Sequence, residues 1–255
     1  MVIRSGIVAL SMVVLLAPWS ARADKQTLST GLTYLTGKYG ESYSTDVYYL
    51  PVVFKQEWKR SQCKATVPYL RIRTGNSPRT EEEGLGDILT SCTYSLIDKP
   101  WHGFLVDALG KVKWPTADER KSLGNGRVAY SLQADVYYLS GAVTPFATLG
   151  YKMPQDPPGS ILRSVWYGTV GLAYKHSKTD SMGLLWDMQQ ASRVAGPGIG
   201  LDADGRPITG EDSMELTAYW VHKFNPQYKL QLYAIRGFSD ASPDLGLGFM
   251  FSRVF

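Results

Sequence analysis

From residue 28 onward the chain repeatedly alternates apolar and polar residues, the period of two that places successive side chains on opposite faces of a strand. The clearest case is 104–114, with Phe104, Val106, Ala108, Gly110, Val112 and Trp114 on one face and Asp107, Lys111 and Lys113 on the other. The final stretch, 243–255, behaves alike: Leu245, Leu247, Phe249, Phe251 and Phe255 oppose Gly246, Gly248, Met250 and Ser252. A helix would scatter these residues around its surface. Further segments of the same kind are predicted at 28–37, 45–58, 63–73, 87–97, 127–139, 142–152, 161–175, 182–190, 214–224 and 228–235, making twelve strands.

The connections sort by parity. The long Gly-, Pro- and charge-rich segments all follow odd-numbered strands: 74–86, 115–126, 153–160 and 191–212 are the longest, and the turns after even-numbered strands are short. An apolar stripe running to the last residue would leave a soluble sheet with an exposed edge, whereas in a closed barrel within lipid that strand is paired on both sides. The expectation is an all-β, closed antiparallel transmembrane barrel of twelve strands with long loops at one end and short turns at the other. A secreted β-sandwich is the alternative, but it has no reason to collect its long loops at one end. The terminal stripe resembles the C-terminal recognition strand of outer-membrane proteins, which makes Phe249, Phe251 and Phe255 candidates for the assembly signal.

The first 23 residues have the charged start (Arg4), short apolar middle (7–18) and small-x-small exit (Ala21-Arg22-Ala23) of a secretory signal peptide. Domain organisation is thus expected as 1–23 signal peptide and 24–255 barrel. Without Arg4 and Arg22 the formal charge falls from +4 to +2, too small and too dispersed for a nucleic-acid binder. Sixteen Tyr and 7 Trp suit headgroup belts, and 25 Gly suit barrel strands and turns. Expected partners are outer-membrane lipids, the barrel-assembly machinery and a small-molecule solute. On these strand registers Cys63 points inward and Cys92 outward, so two isolated cysteines are expected.

The inward faces carry the candidate chemistry. Lys55, Arg71, Arg73, Asp107, Lys111, Lys113, Asp135, Arg163, Asp187, Glu215 and Lys223 are the predicted lumen-lining residues. They either line a water-filled pore or cross-pair into a plug of salt bridges. Tyr49, Tyr69, Tyr137, Tyr167, Tyr219 and Tyr233 either form an aromatic track or fill the lumen. Asp202, Asp204 and Glu211 offer oxygen ligands for calcium, but without EF-hand spacing an Asp/Gly turn is the simpler reading. His102, His176 and His222 do not cluster, no GxSxG segment occurs, and no Ser/His/acid set can be assembled. No metal, cofactor or catalytic residue is expected, and a lipid-modifying barrel enzyme or a barrel binding a partner through its long loops is the competing class.

Two further segments carry a family resemblance: Gly84-Leu85-Gly86-Asp87 entering a strand, and Lys113-Trp114-Pro115-Thr116 ending the next, followed by Gly124-Asn125-Gly126. In these the chain resembles the outer-membrane proteins grouped around the meta-cleavage pathway of phenol degradation. That resemblance implies a transporter of small, often aromatic, molecules.

Overall fold

The computed structural model describes residues 24–75, 80–195 and 208–255, so the proposed signal peptide and Asp202 and Asp204 lie outside the described residues. Fifteen strands run through the described residues: β1 Lys25–Gly37, β2 Thr45–Glu57, β3 Ser61–Thr74, β4 Thr80–Leu85, β5 Ile88–Trp101, β6 Phe104–Trp114, β7 Ala129–Tyr138, β8 Val143–Pro154, β9 Ile161–Leu162, β10 Val165–Lys175, β11 Asp180–Gln189, β12 Arg193–Ala195, β13 Ser213–Lys223, β14 Tyr228–Gly237 and β15 Leu245–Val254. Thirteen form one antiparallel sheet, and β1 pairs with both β2 and β15, so first and last strands close the wall. β4 continues the line of β5, the two sharing β3 as partner, which leaves twelve strands around a closed barrel. β9 and β12 form a separate two-stranded cap among the long loops.

Closure is what the alternating pattern demands, because it satisfies every ladder and removes both edges. The outer face carries Leu132, Leu149, Val170, Leu172, Leu184 and Leu247 in an exposed apolar band. Aromatic pairs flank that band. Tyr151–Trp166 and Trp186–Phe238 lie toward the long loops, with Phe104–Tyr138 and Tyr228–Phe251 toward the short turns; all four have ring centroids 4.8 to 5.8 Å apart. These are the two interfacial girdles of a membrane barrel. Phe249, Phe251 and Phe255 face outward in the same band, and Arg253, in line with them, stacks on the rings of Tyr228 and Phe255. The guanidinium thereby lies against aromatic faces at the turn end, where an outward charge meets the interface.

Three expectations fail on the same stretch of wall. Leu70 and Ile72 of β3 point into the barrel and are buried, not toward lipid, so Arg71, Arg73 and Tyr69 turn outward. The segment 80–85, expected as loop, is β4, whose Glu81 and Glu83 pair with Arg71 and whose Glu81 also pairs with Arg73. Beyond the apolar band, outward arginines need only carboxylate neighbours and water, so the pattern inverts without cost. The one-residue flip also turns Cys63 outward beside Cys92, and the two form a disulfide between directly opposed residues of β3 and β5. The expected isolated cysteines are therefore a cross-strand bridge.

Closing the loop between residues 63 and 92 predicts that Cys63→Ser/Cys92→Ser loses about 3 kcal/mol of stability. Denaturant titration in detergent reads the loss. Maleimide labelling of the wild type should occur only after unfolding and reduction, and labelling without reductant would contradict the bridge.

Candidate functional site

The loop after β6 does not project away from the barrel but folds inward, and its anchor is assembled from the segments that carried the family resemblance. Lys113, inward at the end of β6, donates to Asp87 Oδ2 at 2.5 Å and to Asn125 Oδ1 at 2.6 Å. The pair is buried, with side chains 4% and 1% exposed. The other oxygen of Asp87 accepts the backbone N–H groups of Thr116 and Ala117 at 3.1 and 3.0 Å. Thr116 Oγ1 accepts from Ile88 N at 2.9 Å and donates to Gly86 O at 3.1 Å, so one hydroxyl bridges the break between β4 and β5. Gly124 packs directly on the Asp87 carboxylate, where an added Cβ would collide. A buried charge pair is tolerable only when its remaining bonding capacity is satisfied, and here backbone and amide groups of the loop supply that.

The anchored loop puts Leu123 into the barrel. It joins a buried apolar cluster with Leu35, Val47, Leu70, Ile72 and Ile235, against which Tyr49, Tyr233 and Ala117 pack. The loop is shaped by a single 3-10 turn at Glu119–Lys121, capped by Asp118, whose side chain accepts from Arg120 N. The Arg120 guanidinium beside it holds the Asp118 carboxyl below the usual range. The loop therefore constricts the long-loop half of the lumen with hydrocarbon.

Adjoining the constriction, with Leu35, Tyr49, Tyr233 and Ile235 common to both, lies a cavity of about 380 Å³. Leu35, Tyr49, Tyr233 and Ile235 form one side, and Lys111, Gln133, Thr148, Thr169 and Asp187 contribute to the other. The polar side is internally bonded. Asp135 accepts from Gln133 Nε2 at 2.7 Å and Thr148 Oγ1 at 2.6 Å, Asp187 accepts from Thr169 Oγ1 at 2.6 Å, and Tyr167 OH donates to Gln133 Oε1 at 2.9 Å. The aromatic rings are kept from blocking the cavity by glycine. Tyr167 lies across Gly150, Tyr219 across Gly183, Tyr233 across Gly248 and Phe146 across Gly171, each glycine being the direct cross-strand partner. A Cβ at any of these glycines would strike the ring, so small and large residues interlock along the wall.

Of the predicted lumen residues, Lys55, Asp107, Lys111, Lys113, Asp135, Asp187, Glu215 and Lys223 stand on the inward face, though Lys113, Asp135 and Glu215 are buried in the wall. Arg71 and Arg73 are outside. Arg163 lies between β9 and β10, where its Nε donates to Ala191 O at 2.7 Å, so it ties the loop cap and does not line the wall. Tyr69 likewise leaves the proposed aromatic track. Sequence reading missed Leu123, because a lone leucine in a polar loop has no periodic signal, and it met Asn125 only within the Gly124-Asn125-Gly126 segment, with no role attached. No group of metal-ligating side chains occurs among the described residues, Glu211 included. His222 faces outward at the turn end, 2.8 Å from Asp180, stacked on Trp220 and edge-on to Phe224. Ser177 bonds the carboxylate of that pair.

This geometry is that of an outer-membrane β-barrel with an internally constricted lumen. Among solved structures, the COG4313 outer membrane channel from Pseudomonas putida F1 superposes with a TM-score of 0.74 over 91% of this chain and 95% of that chain, at 12% identity. The KdgM porin matches over 90% of this chain and 99% of its own, with TM-score 0.56 and 6% identity. The translocator domain of the autotransporter NalP from Neisseria meningitidis matches over 97% and 95%, with TM-score 0.52 and 10% identity. At these identities the likeness is one of fold. No family model matches the sequence, and a search of curated proteins returns no match.

Removing one member of the buried pair strands the other. Asp87→Asn or Lys113→Met should each cost about 3–5 kcal/mol, while the two substitutions together should cost clearly less than the sum of the singles. Urea unfolding of the detergent-refolded barrel measures all three, and additive losses would contradict a coupled pair.

Proposed function

We propose that this protein is a passive outer-membrane channel for small solutes, and that those it passes best carry a flat ring. The observation that supports the ring preference is the two-sided cavity beside the Leu123 cluster. Hydrocarbon and tyrosine faces on one side suit an aromatic plane, and hydroxyl, amide and lysine groups opposite suit a polar or anionic substituent. The wall tyrosines, lying across glycines, offer their faces as a lining. The resemblance of the Gly84–Asp87 and Lys113–Thr116 segments to aromatic-solute transporters agrees with this reading, as do the channel and porin among the structural neighbours. The long-loop end would face the cell exterior and the turn end the periplasm. Phe249, Phe251 and Phe255 would serve the assembly machinery as the terminal stripe.

Planar-bilayer recording under a benzoate/gluconate gradient tests the preference, because both probes are singly charged and only one carries a ring. The reversal potential should report benzoate as the more permeant anion. Leu123→Ala should raise conductance and narrow the difference between the two. Absence of conductance from demonstrably folded barrel, or gluconate passing as easily as benzoate, would count against the reading.

A further inference from the structure

At the turn end the inward face is an arc of lysines. Lys223 of β13 stands directly opposite Lys229 of β14, and Lys229 lies within electrostatic reach of Lys55 and Lys25 on the adjoining wall. Lys223 also lines a cavity of about 270 Å³ at this mouth, together with Lys175, Lys178, Thr144, Ser181 and one carboxylate, Asp180. Of the carboxylates at this end, Glu57 and Asp180 lie beside these lysines, and both are engaged. Glu57 holds Lys55 at 3.0 Å and Lys25 at 3.5 Å, and Asp180 accepts from Ser177 at 2.9 Å and Thr179 at 2.7 Å while contacting His222 at 2.8 Å. Like charges directly opposed across a strand pair are destabilising. Low-dielectric walls around them strengthen the positive field that an entering ion meets.

We infer that this mouth is a binding site for a small polyvalent anion, of the phosphate-bearing or polycarboxylate class, held by Lys175, Lys178 and Lys223, with Lys229, opposite Lys223, adding its charge beside the cavity. Ammonium groups act on such anions as point charges, and several converging on one cavity favour a ligand with more than one negative charge. The site is separate from the ring-accepting cavity, and it stands whether or not that cavity conducts.

The probe is inorganic pyrophosphate, titrated calorimetrically at low ionic strength into the full chain refolded in zwitterionic detergent. Saturable binding of one equivalent is expected. Lys223→Gln and Lys229→Gln should each weaken it about tenfold, the scale of one charge-assisted contact. Lys99→Gln, on a strand across the barrel, should leave it unchanged. Heat-modifiable migration establishes that each variant is folded. No saturable binding by the wild type, or equal binding by the double variant, overturns the site. Loss of binding in nanodiscs containing phosphatidylglycerol, with retention in phosphatidylcholine, would assign the lysines to lipid headgroups and also overturn it. Conductance without pyrophosphate binding removes this site alone, and binding without conductance removes the channel reading alone.

Discussion

A lysine and an aspartate taken out of water together must satisfy every remaining lone pair and proton, and the Lys113–Asp87 pair meets that demand by recruiting a loop. Asn125 and the backbone of Thr116 and Ala117 complete its bonding, which fixes the chain between β6 and β7 against the inner wall. Leu123 is thereby delivered to the apolar cluster, and the lumen acquires an apolar constriction beside a mixed cavity. Elsewhere the wall follows from strand closure alone. Here, a single charged contact decides how much of the interior stays open.

The fold was legible because lipid enforces the alternation that the sequence displays. Strand number and the outward Phe249, Phe251 and Phe255 follow from one rule, that the outer face must be apolar through the hydrocarbon, and the parity of loop lengths is the separate mark of a barrel whose two ends differ. That rule loses its force beyond the hydrocarbon. β3 shows where: Arg71 and Arg73 sit outside because they reach Glu81 and Glu83 past the apolar band, and Leu70 and Ile72 sit inside because a loop side chain covers them. One misplaced register also concealed the Cys63–Cys92 bridge, since bonding depends on which face both thiols share. Arg163 failed for a different reason. Its neighbours Ile161 and Leu162 read as the start of a wall strand but pair with β12 in the cap.

The candidate site was legible only in part. Lys111 and Asp187, and Asp135 buried behind Thr148, follow from strand parity, so much of the cavity's polar side could be named from sequence. Its apolar side could not, because inward aliphatic residues such as Leu35 and Ile235 contradict a simple polar-inside rule. What reconciles them is Leu123, and nothing local to 115–126 signals that a leucine there turns inward. The motifs at 84–87, 113–116 and 124–126 recorded the arrangement indirectly. Their residues are the components of the anchor, far apart in sequence and in mutual contact in the fold.

If the buried pair holds the constriction in place, breaking it must free the loop from the lumen. Single-channel recording of Asp87→Asn beside the wild type, in the same symmetric chloride solution, reads that release. Release of the loop predicts a larger and noisier open level in the variant. An unchanged conductance from folded Asp87→Asn barrel would contradict the account, because the constriction would then stand without its anchor.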